Sequence, residues 1–225
     1  MDFTPILLSL KTAAASTFIT FFLGMYAAWK TANMKYGKGM LDALFTLPMV
    51  LPPTVTGFFL LVFFGKNTWF GNWLAEHGHG IIFTWQGAVI AAVVVSFPLM
   101  YRTTRSAFEQ LNVNLIDAGK TLGLSKNKIF WKIVFPNCLP GILGAAILTF
   151  SRALGEFGAT IMIAGNIPGK TQTAALAVYT AMQTGNRELA YQWVGAIIAI
   201  SLAAMLAMNA VNRRQELLIR KGGLR

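Results

Sequence analysis

The sequence predicts an all-α integral membrane protein: five transmembrane helices, N-terminus outside, C-terminus cytoplasmic, and a cytoplasmic coupling-helix loop. Three observations carry this. Only 12% of the 225 residues are charged against 55% hydrophobic, where a soluble domain carries about 25% charge, so too little polar surface exists to face water on every side. Five windows are apolar over the roughly 20 residues that a bilayer-crossing helix needs. The basic residues sort onto alternate connections.

The first window runs from about Ile6 to Trp29, "ILLSLKTAAASTFITFFLGMYAAW", and the second from about Leu41 to Phe64, "LDALFTLPMVLPPTVTGFFLLVFF". The third covers about Trp85 to Tyr101, the fourth about Leu139 to Ala164, and the fifth about Ala190 to Val211. Trp29, Trp85, Tyr101 and Trp193 fall near window ends, where amphipathic rings suit the interface. The segment "AALAVYTAM", Ala174 to Met182, is apolar but too short to span, and reads as a re-entrant or interfacial helix on the outside. The chain reads as a single transmembrane domain over 1–225, with a cytoplasmic loop at about 102–138.

The formal net charge is +11, and its distribution sets the orientation. The first connection holds Lys30, Lys35 and Lys38; the third holds Arg102, Arg105, Lys120, Lys126, Lys128 and Lys132; the C-terminal tail holds Arg213, Arg214, Arg220, Lys221 and Arg225. The second connection has only Lys66, and the fourth only Lys170 and Arg187. Positive charge collects on cytoplasmic loops, so the odd-numbered connections and the C-terminus are placed inside. In a membrane protein this distribution explains the basic excess without nucleic acid as a partner.

Several chemistries are missing. The single cysteine, Cys138, excludes an intramolecular disulfide framework and reads as a small packed residue. His77 and His79 in "AEHGHG" lie beside Glu76, but no further ligand cluster accompanies them, so the segment reads as an exposed polar loop with no metal bound. No phosphate loop of the form GxxxxGK[ST] occurs, and the eight acidic residues are scattered singly. Neither a catalytic constellation nor a bound cofactor is expected.

Three features are unusual inside apolar windows. In "LPMVLPPTVTG", Pro48, Pro52 and Pro53 remove backbone donors and clash with the preceding turn. This is either a packing kink or a broken helix lining a path, with the Thr54 and Thr56 hydroxyls available to an ion. In "SRALGEFGAT", Arg152 and Glu156 are four apart and share a helix face. They read either as a structural or inter-subunit pair, or as groups at the path or its gate. Lys11 lies near the outer end of the first window and can snorkel to the headgroups.

The third connection has its own pattern. In "SAFEQLNVNLIDAGKTLG", Phe108, Leu111, Leu115, Ala118 and Leu122 recur at spacings of three and four, an amphipathic helical stripe. Gly123 supplies the left-handed turn that ends a helix. Ser125 then caps a second short helix, "KNKIFWKIVF", which Pro136 and Pro140 are expected to end. Two short helices folded about a glycine would lie under the bilayer, with the apolar stripe facing the membrane surface or a partner protein.

This loop resembles the signature of ABC-importer membrane subunits, the binding-protein-dependent type I permeases: EAA, three residues, G, nine residues, I-x-L-P. Here it reads Asp117-Ala118-Gly119, then Gly123-Leu124, then Ile133, Phe135 and Pro136, with both spacings kept. Asp for Glu keeps the charge and Phe for Leu keeps the apolar contact. Gly119 for Ala lowers helix propensity by about 1 kcal/mol. "LPMVLPPTVTGFFLL", "SFPLMYRTTRSAFE" and "SRALGEFGATIMIAGNIPGKTQTAALAVYT" are most similar to molybdate permeases, with sulfate permeases as relatives. The resemblance implies a multi-pass permease of the cell (inner) membrane that imports molybdate as a homodimer. It implies two ABC ATPase subunits on the cytoplasmic side, which carry the ATP and Mg, and a periplasmic or extracellular oxyanion-binding protein. Sulfate or tungstate as cargo, or a stand-alone secondary anion transporter, are the alternatives.

Overall fold

The structure, a computed structural model, describes residues 2–34 and 36–222, with side chains up to Ala207 and at Ala210. Lys35, Arg225 and the side chains of Arg213, Arg214, Arg220 and Lys221, all counted among the basic clusters, lie outside the described residues. Among the described residues the regular structure is entirely helical. It comprises α1 (Thr4–Ala32), α2 (Lys38–Val50), α3 (Pro53–Phe64), α4 (Trp69–Glu76), α5 (Trp85–Glu109) and α6 (Val113–Thr121). There follow α7 (Lys126–Ile129), a π-helical turn (Phe130–Val134), α8 (Phe135–Leu154), α9 (Gly158–Ala164), α10 (Ala174–Gln183) and α11 (Arg187–Gly222).

Among the described residues, four stretches are each long and apolar enough to cross a membrane: α1, α5, Lys126–Leu154, and Arg187–Ala207 within α11. The second predicted window is a pair, α2 and α3, bent by 107° between Val50 and Pro53. The bend has a local cause. A proline pushes the residue before it out of the helical region, and two successive prolines do this to Leu51 (ψ 141°) and to Pro52 (ψ 136°). Pro53 then opens α3, where its missing N–H costs nothing. The fourth predicted window also breaks: α8 stops at Leu154 and α9 begins at Gly158.

α5 lies at the centre, with 61% of its apolar window buried against 28% in α1 and 11% in α11. α1, α2, α8 and α9 pack around it, and α11 lies outside α8 and α10. The contacts rest on small residues. Ala13, Ala28, Ala88, Ala91, Ala92, Ala145 and Ala159 are buried to within 1% of complete. Within a bilayer, association gains from close backbone approach rather than from expelling water, which favours such residues. A Cβ on Gly24 of α1 would sit 2.8 Å from Met100 Cγ of α5.

Several hydroxyls within the spans are satisfied locally, although those of Thr17 and Thr104 are buried without a partner. Ser16, Thr20 and Thr31 of α1 donate to carbonyls one turn back at 2.8–3.1 Å. Lys11 lies over the Trp85 ring at 4.3 Å, while the Trp85 indole N–H donates to Thr12 Oγ1 at 2.9 Å. Lys11 therefore has a partner inside the protein and does not depend on snorkelling alone. Ser9 Oγ accepts from the Ala174 N–H, tying α10 to the same end of α1. His77 packs against Trp73 in a tilted arrangement with centroids 4.7 Å apart. At the opposite end Trp29 of α1 packs against Phe108 and Phe130, so the first and third connections, rich in Lys and Arg, meet at one end of the bundle.

A close backbone approach joins α3 to α9. A Cβ on Gly57 would lie 2.7 Å from Ala159 Cα and 2.9 Å from its carbonyl oxygen, and backbone cannot yield as a side chain can. Gly57→Ala is expected to lower stability by about 1–3 kcal/mol through overpacking. Gly144→Ala, with open space around it, should be neutral or stabilising. Thermal unfolding of the purified proteins in detergent compares the two. Equal melting temperatures would show that α3 and α9 are not locked at this point.

Candidate functional site

Two sites emerge, one at the basic end and one at the broken span. At the basic end, Asn112 caps α6 by accepting from the Asn114 N–H at 3.0 Å. Gly123 adopts φ 72°. Its N–H bonds the Lys120 carbonyl at 2.9 Å, and the Leu124 N–H reaches back to Gly119 at 3.1 Å. This pair of bonds is a Schellman closure, which requires a left-handed residue where Gly123 stands. Ser125 Oγ accepts from the Lys128 N–H at 3.4 Å and starts α7. The predicted helix–glycine–helix arrangement is present.

Two expectations for this loop need correction. The stripe from Phe108 to Leu122 is not one helix face. α5 runs on to Glu109, so Phe108 is buried in the bundle. The chain then breaks, and α6 buries the face carrying Ile116 and Gly119. Leu115, Ala118 and Leu122, three and four apart, are exposed together, Leu122 at 79%. Nor do Pro136 and Pro140 end the second helix. The chain stays helical from Lys126 to Leu154, passing through the π turn, where the Phe135 N–H bonds Phe130 five residues back. The widened turn absorbs the helix irregularity just before Pro136. Asn137 Nδ2 donates to the Ile133 carbonyl at 2.6 Å beside it.

Gly119 also acquires a reason. A Cβ there would lie 2.7 Å from Ile133 Cδ1 and 3.2 Å from Ile129 Cγ1. The glycine lets α6 sit directly on α7 and the π turn, so what it costs in helix propensity it returns in close packing. Asp117 is exposed and holds Lys120 Nζ at 2.8 Å. Ile133 and Phe135 are half-buried beneath the loop, and Pro136 is exposed.

The second site joins two motifs a hundred residues apart. A Cβ on Gly158, the first residue of α9, would lie 3.0 Å from Pro53 and 3.2 Å from the Thr54 backbone nitrogen. The Pro52-Pro53-Thr54 elbow thus rests on the segment that follows Glu156. Glu156 is 3% exposed. Its Oε2 accepts from Arg152 Nη1 at 2.7 Å, and its Oε1 accepts from the Ala159 N–H at 2.8 Å. One carboxylate therefore fastens the end of α8 and the start of α9. Arg152 is only partly covered, with 37% of its side chain exposed. Thr54 is exposed, whereas Thr56 is buried and its hydroxyl finds no partner within the protein. Thr56 lies in the angle between α2 and α3, where Leu44, Leu47, Leu51 and Phe59 line an apolar cavity of about 570 Å³.

One cluster was not anticipated from the sequence. Lys38 and Asp42 of α2 meet Arg105 and Glu109 of α5 in a chain of ion pairs at 2.6–2.9 Å. The four-residue spacing of Arg105 and Glu109 was readable; the partners on α2 were not, because 63 residues separate Asp42 from Arg105 and 71 separate Lys38 from Glu109.

With the bundle, its broken helices and the exposed loop at its basic end described, comparison with known proteins places the chain among the membrane subunits of transport systems. The chain belongs to the family of binding-protein-dependent transport system inner membrane components, whose model matches residues 20–217. It is 45% identical over 203 residues to the putative molybdenum transport system permease protein YvgM of Bacillus subtilis, covering 88% of each chain. It is 38% identical over 227 residues to the molybdenum transport system permease protein ModB of Haemophilus influenzae, covering 100% of this chain and 99% of that one. The sulfate transport system permease protein CysT of Escherichia coli is 33% identical over 92% of this chain and 75% of its own. The fold is shared with a chain of the MetNI methionine ABC transporter, at TM-score 0.73 and 17% identity over 93% of this chain and 94% of that one.

The Arg152–Glu156 geometry makes a stability prediction. Arg152→Gln would leave the buried Glu156 carboxylate with the Ala159 N–H as its main support, and should cost about 2 kcal/mol, below the full value for a buried pair because Arg152 is partly solvated. Arg152→Gln/Glu156→Gln should recover part of that loss, since no lone charge remains. Thermal melts of the single and double variants decide; a double variant that melts lower than Arg152→Gln would refute pairing as the source.

Proposed function

We propose that this chain is the permease subunit of a molybdate importer, working as a homodimer with two ABC ATPase subunits and an external oxyanion-binding protein. The single observation that carries the coupling part is the loop closed at Gly123. It presents Leu115, Ala118 and Leu122 outward from a base fixed by Gly119 on Ile129 and Ile133. An apolar helical face at the basic end, away from the core, is suited to a groove on a partner. The molybdate assignment is supported by relatives named for molybdenum transport at 38% and 45% identity, against 33% for a sulfate permease.

The N-terminus is outside and the loop cytoplasmic, as the positive-inside distribution requires. Closure of the ATPases on ATP moves the loop formed by Asp117, Ala118, Gly119, Gly123 and Leu124. The base containing Ile133, Phe135 and Pro136 passes that motion through the continuous helix into α8. The end of α8 is joined through Glu156 to α9, and α9 carries the Pro52–Pro53 elbow. The elbow, the Thr54 and Thr56 hydroxyls and Arg152 with Glu156 line the path or its gate, where a charged group within a span is accommodated beside water or a partner. A dianion receives few donors there, so binding in the path is weak and the external protein selects the ion.

Uptake into vesicles reconstituted with the cognate ATPase and binding protein tests this reading, with molybdate, tungstate and sulfate in competition. Molybdate is expected to win, and uptake is expected to stop without ATP; sulfate preference or ATP-independent uptake would overturn it. Gly123→Trp should insert normally yet abolish coupled uptake, because a bulky side chain at φ 72° disrupts both the turn and the docking face. Normal transport by that variant would remove the loop from the mechanism.

A further inference from the structure

α2 is attached to the rest of the molecule in an unusual way. It has no buried residue, although it forms half of a broken span. The helix is broken at both its ends: Gly37 precedes it at φ 73°, and the extended Leu51–Pro52 pair follows it. Between these ends, the Phe45 ring and one ionic cluster are its specific side-chain contacts to α5. Phe45 sits edge-on to Tyr101 and Phe97 of α5, with centroids at 5.2 and 5.6 Å. The ionic cluster centres on Arg105, whose side chain is 15% exposed.

Arg105 is a hub among three helices. Its Nη1 donates to Asp42 Oδ1 of α2 at 2.6 Å and to the Tyr101 hydroxyl at 3.0 Å. Its Nε donates to Glu109 Oε1 at 2.9 Å, and Lys38 Nζ of α2 donates to that same oxygen at 2.7 Å. The Tyr101 hydroxyl, fully buried, donates in turn to Thr31 Oγ1 of α1 at 3.0 Å. Solvent-exposed ion pairs contribute little. This cluster differs in using one planar guanidinium, largely covered, to engage two carboxylates and a phenol at once. Its location matters as much as its strength. Glu109 is the last residue of α5, and three residues later Asn112 caps α6.

We infer that Arg105 is a positioning residue for coupled transport: it clamps α2 to the end of α5 that carries the exposed loop. Displacement of the loop then moves α2 and bends the α2–α3 elbow, instead of being lost at the helix break before Lys38. The route is separate from the one through α8, and the two converge where the elbow rests on Gly158. The inference rests on the permease reading given above for the loop.

The test uses the full complex in vesicles, measuring anion taken up per ATP hydrolysed, basal hydrolysis, and complex recovered on purification. Whichever anion the wild type transports serves as the readout. Arg105→Gln should lower uptake per ATP by about tenfold with basal hydrolysis and recovery within about twofold of wild type, because the clamp transmits motion and does not form the ATPase contact. Arg105→Lys keeps the charge without the planar fork, and should fall between the two. Asp42→Asn weakens the α2 attachment while leaving Arg105 on Glu109 and Tyr101; it should lower the ratio too, and combining it with Arg105→Gln should add little. An unchanged ratio in Arg105→Gln overturns the inference. If Arg105→Gln fails to assemble, Asp42→Asn decides: a lowered ratio in an assembled complex supports the clamp, and a wild-type ratio overturns it. Failure of the wild type itself to couple uptake to ATP would instead overturn the permease reading.

Discussion

The architecture depends on one constraint: a backbone inside a bilayer must satisfy its own hydrogen bonds, yet the helix is interrupted at Pro52 and Pro53 midway through the second apolar window. The chain resolves this by ending α2 at Val50 and restarting at Pro53, with a 107° change of direction. Such a break is tolerated only where protein surrounds it or water reaches it. Here α9 supplies the protein, meeting α3 through Gly57 and Ala159 and meeting the elbow through Gly158. The second break, between α8 and α9, is stabilised by the same logic. Glu156 satisfies an N–H at the start of α9 and neutralises Arg152 at the end of α8. Two interrupted helices thus complete one another, and the intervening corner is where charged and hydroxyl side chains gather.

The basic end obeys a different rule. It has access to water, so polar caps and ion pairs can replace close backbone contact. Asn112, Gly123 and Ser125 set the loop's shape through short-range bonds, and Arg105 sets its relation to α2 through long-range ones. Local hydrogen bonds thus fix the turn between α6 and α7. Small residues along α5, chiefly Ala88, Ala91 and Ala92, let it pack closely at the centre of the bundle. Cys138 fits this frame as a packed thiol beside the Ala107 carbonyl, at 3.3 Å.

Much of the site was legible in the chain because its determinants are local. Gly123 was readable as a left-handed stop, Ser125 as a cap, and Arg152 with Glu156 as neighbours on one face. The errors also have local explanations. The stripe from Phe108 to Leu122 has helical spacing throughout, but periodicity does not register the break between Glu109 and Val113 that turns Leu115 and Leu122 away from the face burying Phe108. Pro136 and Pro140 carry a strong stop signal, yet the π turn before them and the packing of α8 against α5 keep the helix going.

The sequence by itself determined that the chain is an all-helical membrane protein, where its apolar windows lie, and where a glycine must turn the chain between two short helices. These follow from composition, from helix length against bilayer thickness, and from backbone conformations that few residues adopt. Only the tertiary structure decided which distant segments meet: the Pro52–Pro53 elbow with Gly158, Lys11 with Trp85, and Asp42 with Arg105. Such pairings depend on the angles at which whole helices cross. Those angles arise from many small contacts between spans, and no single stretch of sequence encodes them.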